Sequence, residues 1–238
     1  MNNFGLNQSL IDAATNILNE AAIDDDIRGM TFYHGTYDRN GGDGADIASK
    51  IALHGIQPPD LSGVKDHGLR PVVGKTYATP DIGYAQMYAI GGNMAGSTSW
   101  KPKHSHGYIF QFSGKQLNDV QPDEDEVGEL YSKGSEPIIN RLAHHATEPQ
   151  RRRAKDGEYE FWAKFGKRVI PKMSEQEKLH IIKKHNTHIA NEGPITPERV
   201  FRIATDKIPL LQKDGSNFHE HAEELSMEHL KHGIIKPL

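Results

Sequence analysis

The chain sets short period-two segments beside helical ones without the regular strand–helix alternation that a doubly wound parallel sheet requires. Met30–His34 reads as a short strand. Gly107–Ser113 reads as a half-buried one, with Tyr108, Phe110 and Phe112 opposing Ile109 and Gln111. Further strands are expected at 75–78, at 158–163 (Glu-Tyr-Glu-Phe-Trp-Ala) and at Arg199–Ile203. Between them lie helical patterns. Leu10, Ile11, Ala14, Ile17, Leu18 and Ala21 recur at steps of three and four over residues 7–22. Ile47, Ala48, Ile51 and Ala52 do the same before Gly55, which sits in the glycine position that favours a helix end. Thr79 as cap and Pro80 in the first turn open a helix that stops at Gly91-Gly92. Residues 124–146 read as mostly helical, Ser174–Glu177 as a capping box, and about 217–232 as a closing helix. The pattern predicts an α+β fold. One main domain is expected over 29–207, with a helical extension at 1–28 and an appended C-terminal helix in 208–238.

Composition narrows the chemistry. The 238 residues contain no cysteine, which excludes disulfides, thiolate catalysis and cysteine-ligated zinc. A formal net charge of −4 gives no global attraction to nucleic acid or to an anionic membrane. Residues 1–10 carry neither a basic region nor an apolar run, so neither a cleavable signal peptide nor a membrane span is expected. The reading is a cytoplasmic protein, or one exported by another route to act in a target cytosol.

Three groups of residues stand out. Phe32-Tyr33-His34-Gly35-Thr36 ends a strand. Gly74-Lys75-Thr76-Tyr77-Ala78-Thr79-Pro80 leads into Tyr84-Ala85-Gln86-Met87-Tyr88-Ala89, with Tyr77 and Tyr88 eleven residues apart. Gly157-Glu158-Tyr159-Glu160 opens the expected late strand. In this order they resemble the ADP-ribosyltransferase family. The front half is similar to the His-Tyr-Glu pattern of the diphtheria-toxin and poly-ADP-ribose-polymerase branch. Gly-Glu-Tyr-Glu is similar to the paired-glutamate motif of the arginine-modifying binary toxins. The matched stretches span roughly residues 30–92 and 156–166. The chain departs from both branches: it lacks the first-strand arginine of the binary toxins, and its loop between His34 and Tyr77 is longer than theirs.

The resemblance implies a split antiparallel β-sandwich and NAD⁺ as co-substrate, with no metal. It assigns His34 to the NAD ribose and Gly35 to the carboxamide, with Thr36 beside them. Tyr77 and Tyr88 would flank the nicotinamide, and Glu160 or Glu158 would be the catalytic carboxylate. Glu160 is favoured by the Phe-Trp-Ala-Lys-Phe-Gly that follows it. Those residue types suit the reaction. Breaking the nicotinamide–ribose bond builds positive charge on the ribose, which a nearby carboxylate stabilises. Aromatic rings stack on the cationic leaving group. A glycine lets its backbone approach the carboxamide.

The expected function is mono-ADP-ribosyl transfer, toxin or effector type, to a protein acceptor, with nucleic acid and membrane disfavoured as partners. Alternatives on the same fold are nucleic-acid ADP-ribosylation, RNA 2′-phosphotransfer, and an NAD-binding or protein-binding module without turnover. The 14 histidines, among them His180, His185, His188, His219 and His221, invite a metal reading, but surface histidines are the simpler explanation. Arg151-Arg152-Arg153 reads as a solvated loop, and Ser97-Thr98-Ser99 as a coincidental match.

Overall fold

The computed structural model describes residues 26–37, 45–58, 74–89, 106–134, 136–143, 159–212 and 214–235, with single positions at 149 and 152. The expected helix at 7–22, the expected helix stop at Gly91-Gly92, Ser97-Thr98-Ser99 and Glu158 lie outside them.

Among the described residues, seven strands form two antiparallel sheets. The larger has the order β1 (Thr31–Thr36), β3 (His106–Ser113), β6 (Arg199–Ala204) and β7 (Ala222–Leu225). The smaller has the order β2 (Lys75–Ala78), β5 (Ile189–Glu192) and β4 (Val120–Pro122). With the helices around them, the fold is α+β. The sheets meet at one bridge, where Tyr33 and Thr79 exchange both backbone hydrogen bonds, at 2.8 and 2.9 Å.

Both sheets contribute to one apolar core. Phe32, Phe110, Phe112 and Val200 come from the larger sheet, and Ala78 and Ile189 from the smaller. Ala48 and Ala52 of α1 (Ala45–His54) cover them, and Gly55 ends that helix at φ +77° as expected. The other face of the larger sheet is covered too. Ala85 and Ala89 of α2 (Ile82–Ala89) pack with Ile109, Phe201 and Ile203. β3 is therefore buried on both faces, not the half-buried strand its alternation suggested. Glycines make this approach possible. A Cβ on Gly35 would collide with the Ala85 carbonyl, and one on Gly107 with the Ala89 carbonyl. Asp81, not Thr79, caps α2: its Oδ1 accepts the Gly83 N–H at 2.7 Å, while Thr79 Oγ1 accepts the Asp81 N–H.

A second core is all helical. It joins α3 (Glu124–Lys133), α4 (Pro137–Leu142), α5 (Tyr159–Val169) and α6 (Glu175–His185) through Val127, Ile139, Phe161, Phe165, Val169 and Ile181. The capping box forms as expected, with Ser174 and Glu177 each bonding the other's backbone N–H. Two expectations are corrected. Residues 159–163 belong to helix α5, not to a strand, because Phe161, Phe165 and Val169 bury one face at a step of four. The C-terminal segment is not one helix. α7 (Phe218–His221) and α8 (Met227–Lys231) flank β7, which adds an edge strand to the larger sheet. Arg199–Glu224 and Arg202–Glu223 ion pairs hold that edge across β6 and β7.

Adding a methyl at Gly107 has nowhere to go but into helix α2. Gly107→Ala should lower unfolding free energy by about 1–3 kcal/mol, read from urea denaturation. A change within about 0.5 kcal/mol, the range of an ordinary surface substitution, would show that α2 does not seat on β3.

Candidate functional site

Beyond the Tyr33–Thr79 bridge the two sheets part, since β2 pairs with β5 and not with β1. His34 spans the opening: its Nδ1 lies 2.9 Å from the Tyr77 carbonyl oxygen. A carbonyl only accepts, so Nδ1 carries the proton and Nε2 keeps its lone pair in the neutral ring. Burial lowers the His34 pKa, and the bond to Tyr77 opposes it only in part. The imidazole is thus held neutral and oriented, with one acceptor atom to offer.

Gly35 follows on the same strand. Backbone groups two residues apart in a strand point to the same edge. Tyr33 uses its N–H and C=O on Thr79, so those of Gly35 are directed at the opening. The missing Cβ itself is explained by helix α2. Thr36 ends β1, opposite Tyr108.

Tyr77 is half-buried on β2, and its hydroxyl donates to Glu124 Oε2 at 3.2 Å. Glu124 is 4% exposed at the start of α3. Lys75 neutralises it at 3.3 Å and also donates to Gln121 Oε1 at 3.0 Å. Such a charge would be costly to bury without a cationic partner. Tyr88 lies on the outer face of α2, 44% exposed, one turn after Tyr84 at 43%. The rings stand edge-on to His188, at 4.9 Å for Tyr84 and 5.7 Å for Tyr88. Burial, then Asp123 and Glu126, push the Tyr88 phenol up to about 12, so it stays protonated.

The structure therefore brings His34, Gly35 and Tyr77 together at the opening. Tyr77 and Tyr88 are joined through the first turn of α3, by Glu124 and by Asp123 and Glu126. Glu160 belongs to the first turn of helix α5. A Cβ on Gly166 would meet the Glu124 backbone, and one on Gly128 would meet Trp162, so α5 runs antiparallel to α3. The backbone of Glu160, six residues before Gly166, lies roughly 9 Å farther along α5, which begins at Tyr159.

Sequence reasoning missed Glu124, Glu126 and His188. The run Asp123-Glu124-Asp125-Glu126 after Pro122 was their signal, since four carboxylates in a helix's first turn exceed what its dipole requires. His185 and His188 are not surface histidines. His185 Nε2 bonds Glu136 at 2.9 Å, and His188 pairs with Glu126. Among the described residues, no three His, Cys, Asp or Glu side chains stand together as a metal site. No described helix is long and apolar enough to cross a membrane.

No family model matches the chain, and no curated protein does. One solved structure, "EcPltA", aligns over 82% of this chain and 81% of its own, at 11% identity and a TM-score of 0.33. That likeness is too slight to carry an argument.

The neutral His34 predicts a pH effect. The unfolded ring protonates at about 6.5, the buried ring only at lower pH. Below about pH 6.5 the unfolded chain binds more protons, and stability falls as pH drops. His34→Asn removes that term and keeps a donor for the Tyr77 carbonyl. Its stability relative to wild type should rise between about pH 7 and about pH 5, measured by urea titration. A pH-independent difference would contradict the neutral assignment.

Proposed function

We propose that the chain binds NAD⁺ in the opening between β1 and β2 and transfers ADP-ribose to a macromolecular acceptor, with nicotinamide as leaving group. The observation that carries this reading is the fixed, neutral His34 beside the outward-facing Gly35 backbone, with Tyr77 on the opposite strand. His34 Nε2 accepts a ribose hydroxyl proton in a hydrogen bond. The Gly35 N–H and C=O suit the two ends of a carboxamide. Tyr77 and Tyr88 supply flat faces for a cationic ring.

NAD⁺ supplies the reactive glycosidic bond, whose electrons leave with nicotinamide. The protein's part is to hold the ribose and set a carboxylate near the charge that develops on it. The resemblance nominates Glu160, with Glu158 as its alternative. A second assignment, Glu124, is favoured by its hydrogen bond to the Tyr77 hydroxyl. A protein side chain is the acceptor proposed. The toxin or effector role belongs to the same reading.

The test is nicotinamide release and label transfer from labelled NAD⁺ in cell lysate. Glu158→Ala, Glu160→Ala and Glu124→Gln are compared with wild type. Wild type should release nicotinamide and label a protein band. The catalytic carboxylate is the one whose variant loses turnover while binding NAD⁺ normally. Tyr77→Ala should weaken NAD⁺ binding about 10- to 30-fold, the equivalent of roughly 2 kcal/mol of ring contact. A wild-type protein that does not bind NAD⁺ contradicts the reading. One that binds it without turnover is a binding module.

A further inference from the structure

His188 lies where the two sheets part. Ile189 pairs with Ala78, and one step further in that register sets His188 opposite Thr79, the residue bridged to Tyr33. Its backbone is fixed on both sides: the N–H donates to Glu126 Oε2 at 2.6 Å, and the carbonyl accepts the Asp123 N–H at 2.8 Å. The ring is fixed as well, because Nδ1 pairs with Glu126 Oε1. One carboxylate thus clasps the backbone and the side chain of a single histidine. A carboxylate only accepts, so Nδ1 carries the proton. The remaining nitrogen, Nε2, is buried and has no hydrogen-bond partner among the described residues. Above the ring stand Tyr84 and Tyr88, two half-exposed tyrosines one helical turn apart.

A histidine kept only to pair Glu126 would not need Nε2. Leaving such a group unsatisfied costs about 1–3 kcal/mol. Its aromatic neighbours, Tyr84 and Tyr88, are partly exposed side chains, a class that changes rotamer in picoseconds to nanoseconds. The orientation of one ring nitrogen by a carboxylate, leaving the other free, is that of a histidine general base.

We propose that Glu126 and His188 form a dyad whose Nε2 takes the proton of a cationic nitrogen acceptor as that nitrogen attacks the ribose. The proposal rests on the NAD⁺-cleaving reading. The C1′–N bond to nicotinamide breaks with its electron pair on nicotinamide. The acceptor nitrogen gives up a proton to Nε2, and the lone pair this frees forms the new bond to C1′; the proton then passes to solvent. His188 touches the reacting atoms, and Glu126 positions it. The acceptor's charge is argued from the surroundings. Asp81 at the start of α2, and Asp123 and Glu126 at the start of α3, all act on the ring. Glu129 and Asp125 extend the negative face toward Tyr84 and Tyr88. Burial lowers the His188 pKa, but Glu126 first, then Asp123 and Asp81, more than offset it and leave it raised. The base form is thus reached above the ordinary histidine range.

The test follows nicotinamide release and ADP-ribose transfer to arginine methyl ester and butylamine across pH, in wild type, His188→Asn and Glu126→Gln. Asparagine keeps a donor where Nδ1 stood and has nothing at Nε2, so His188→Asn should keep a single cooperative thermal transition, at a melting temperature lowered by the lost ion pair. Its transfer should fall about 100-fold or more, while nicotinamide release to water falls far less. Wild-type transfer should rise through a single ionisation above pH 6.5, a limb absent from His188→Asn. In Glu126→Gln the limb should move to lower pH, because the carboxylate that raises the ring is gone. Transfer by His188→Asn at the wild-type rate overturns the dyad alone. So does nicotinamide release by wild type with neither amine probe modified. A wild-type protein that releases no nicotinamide overturns the underlying reading as well.

Discussion

Two hydrogen bonds between Tyr33 and Thr79 determine where everything else can sit. They join the edge of a four-stranded sheet to the edge of a three-stranded one at a single residue pair. On one face the sheets share an apolar core, to which Phe32 and Phe110 come from one and Ala78 and Ile189 from the other. Past that pair, β1 ladders with β3 and β2 with β5, so the facing strand edges part. An opening between strands exposes backbone donors and acceptors that no ladder satisfies, and such groups need a partner. His34 meets part of the demand by bonding the Tyr77 carbonyl. The Gly35 backbone is left facing the same gap. A cleft lined by rigid strand backbone is preorganised for a ligand with its own donors and acceptors.

The second anchor is the first turn of α3. Asp123 caps the helix by accepting the Asp125 N–H, so the acidic run sits where the helix dipole favours it. From there Glu124 reaches Tyr77 on β2, and Glu126 reaches His188 before β5. A single helical turn thus ties both sides of the smaller sheet to the tyrosines of β2 and α2. Crowding the carboxylates has a cost. Burial, then Glu126, raise the Asp123 pKa, and burial, then Glu124, bring Asp125 up to about 6. Lys75 beside Glu124, His188 beside Glu126 and Lys167 near Asp125 offset this charge.

Much of the larger sheet was legible. His34-Gly35, the helix end at Gly55 and the capping box at Ser174 each carry a local signal that nothing distant overrides. The failures share a cause. Glu-Tyr-Glu-Phe-Trp-Ala alternates over six residues and so reads as a strand. Over eleven, Phe161, Phe165 and Val169 impose a helical step. Ala222–Leu225 is a run of good helix formers, yet it pairs as a strand because Glu223 and Glu224 meet Arg202 and Arg199 on β6. The pairing of Glu126 with His188 joins positions 62 apart and leaves no local trace. The residues around His34 were therefore readable one by one. The carboxylates beside the tyrosines were not, because only the folded chain brings α3 to β2 and β5.

The most direct measurement is an NMR titration of the ¹³C,¹⁵N-labelled protein with NAD⁺, following backbone amides and the histidine and tyrosine rings. The expected result is a saturating set of shifts confined to His34, Gly35, Thr36, Tyr77 and Tyr88, with the Gly35 amide among the largest. Shifts centred on the helical layer away from β1 and β2, or no saturable shift at all, would contradict the opening between the sheets as an NAD⁺ site.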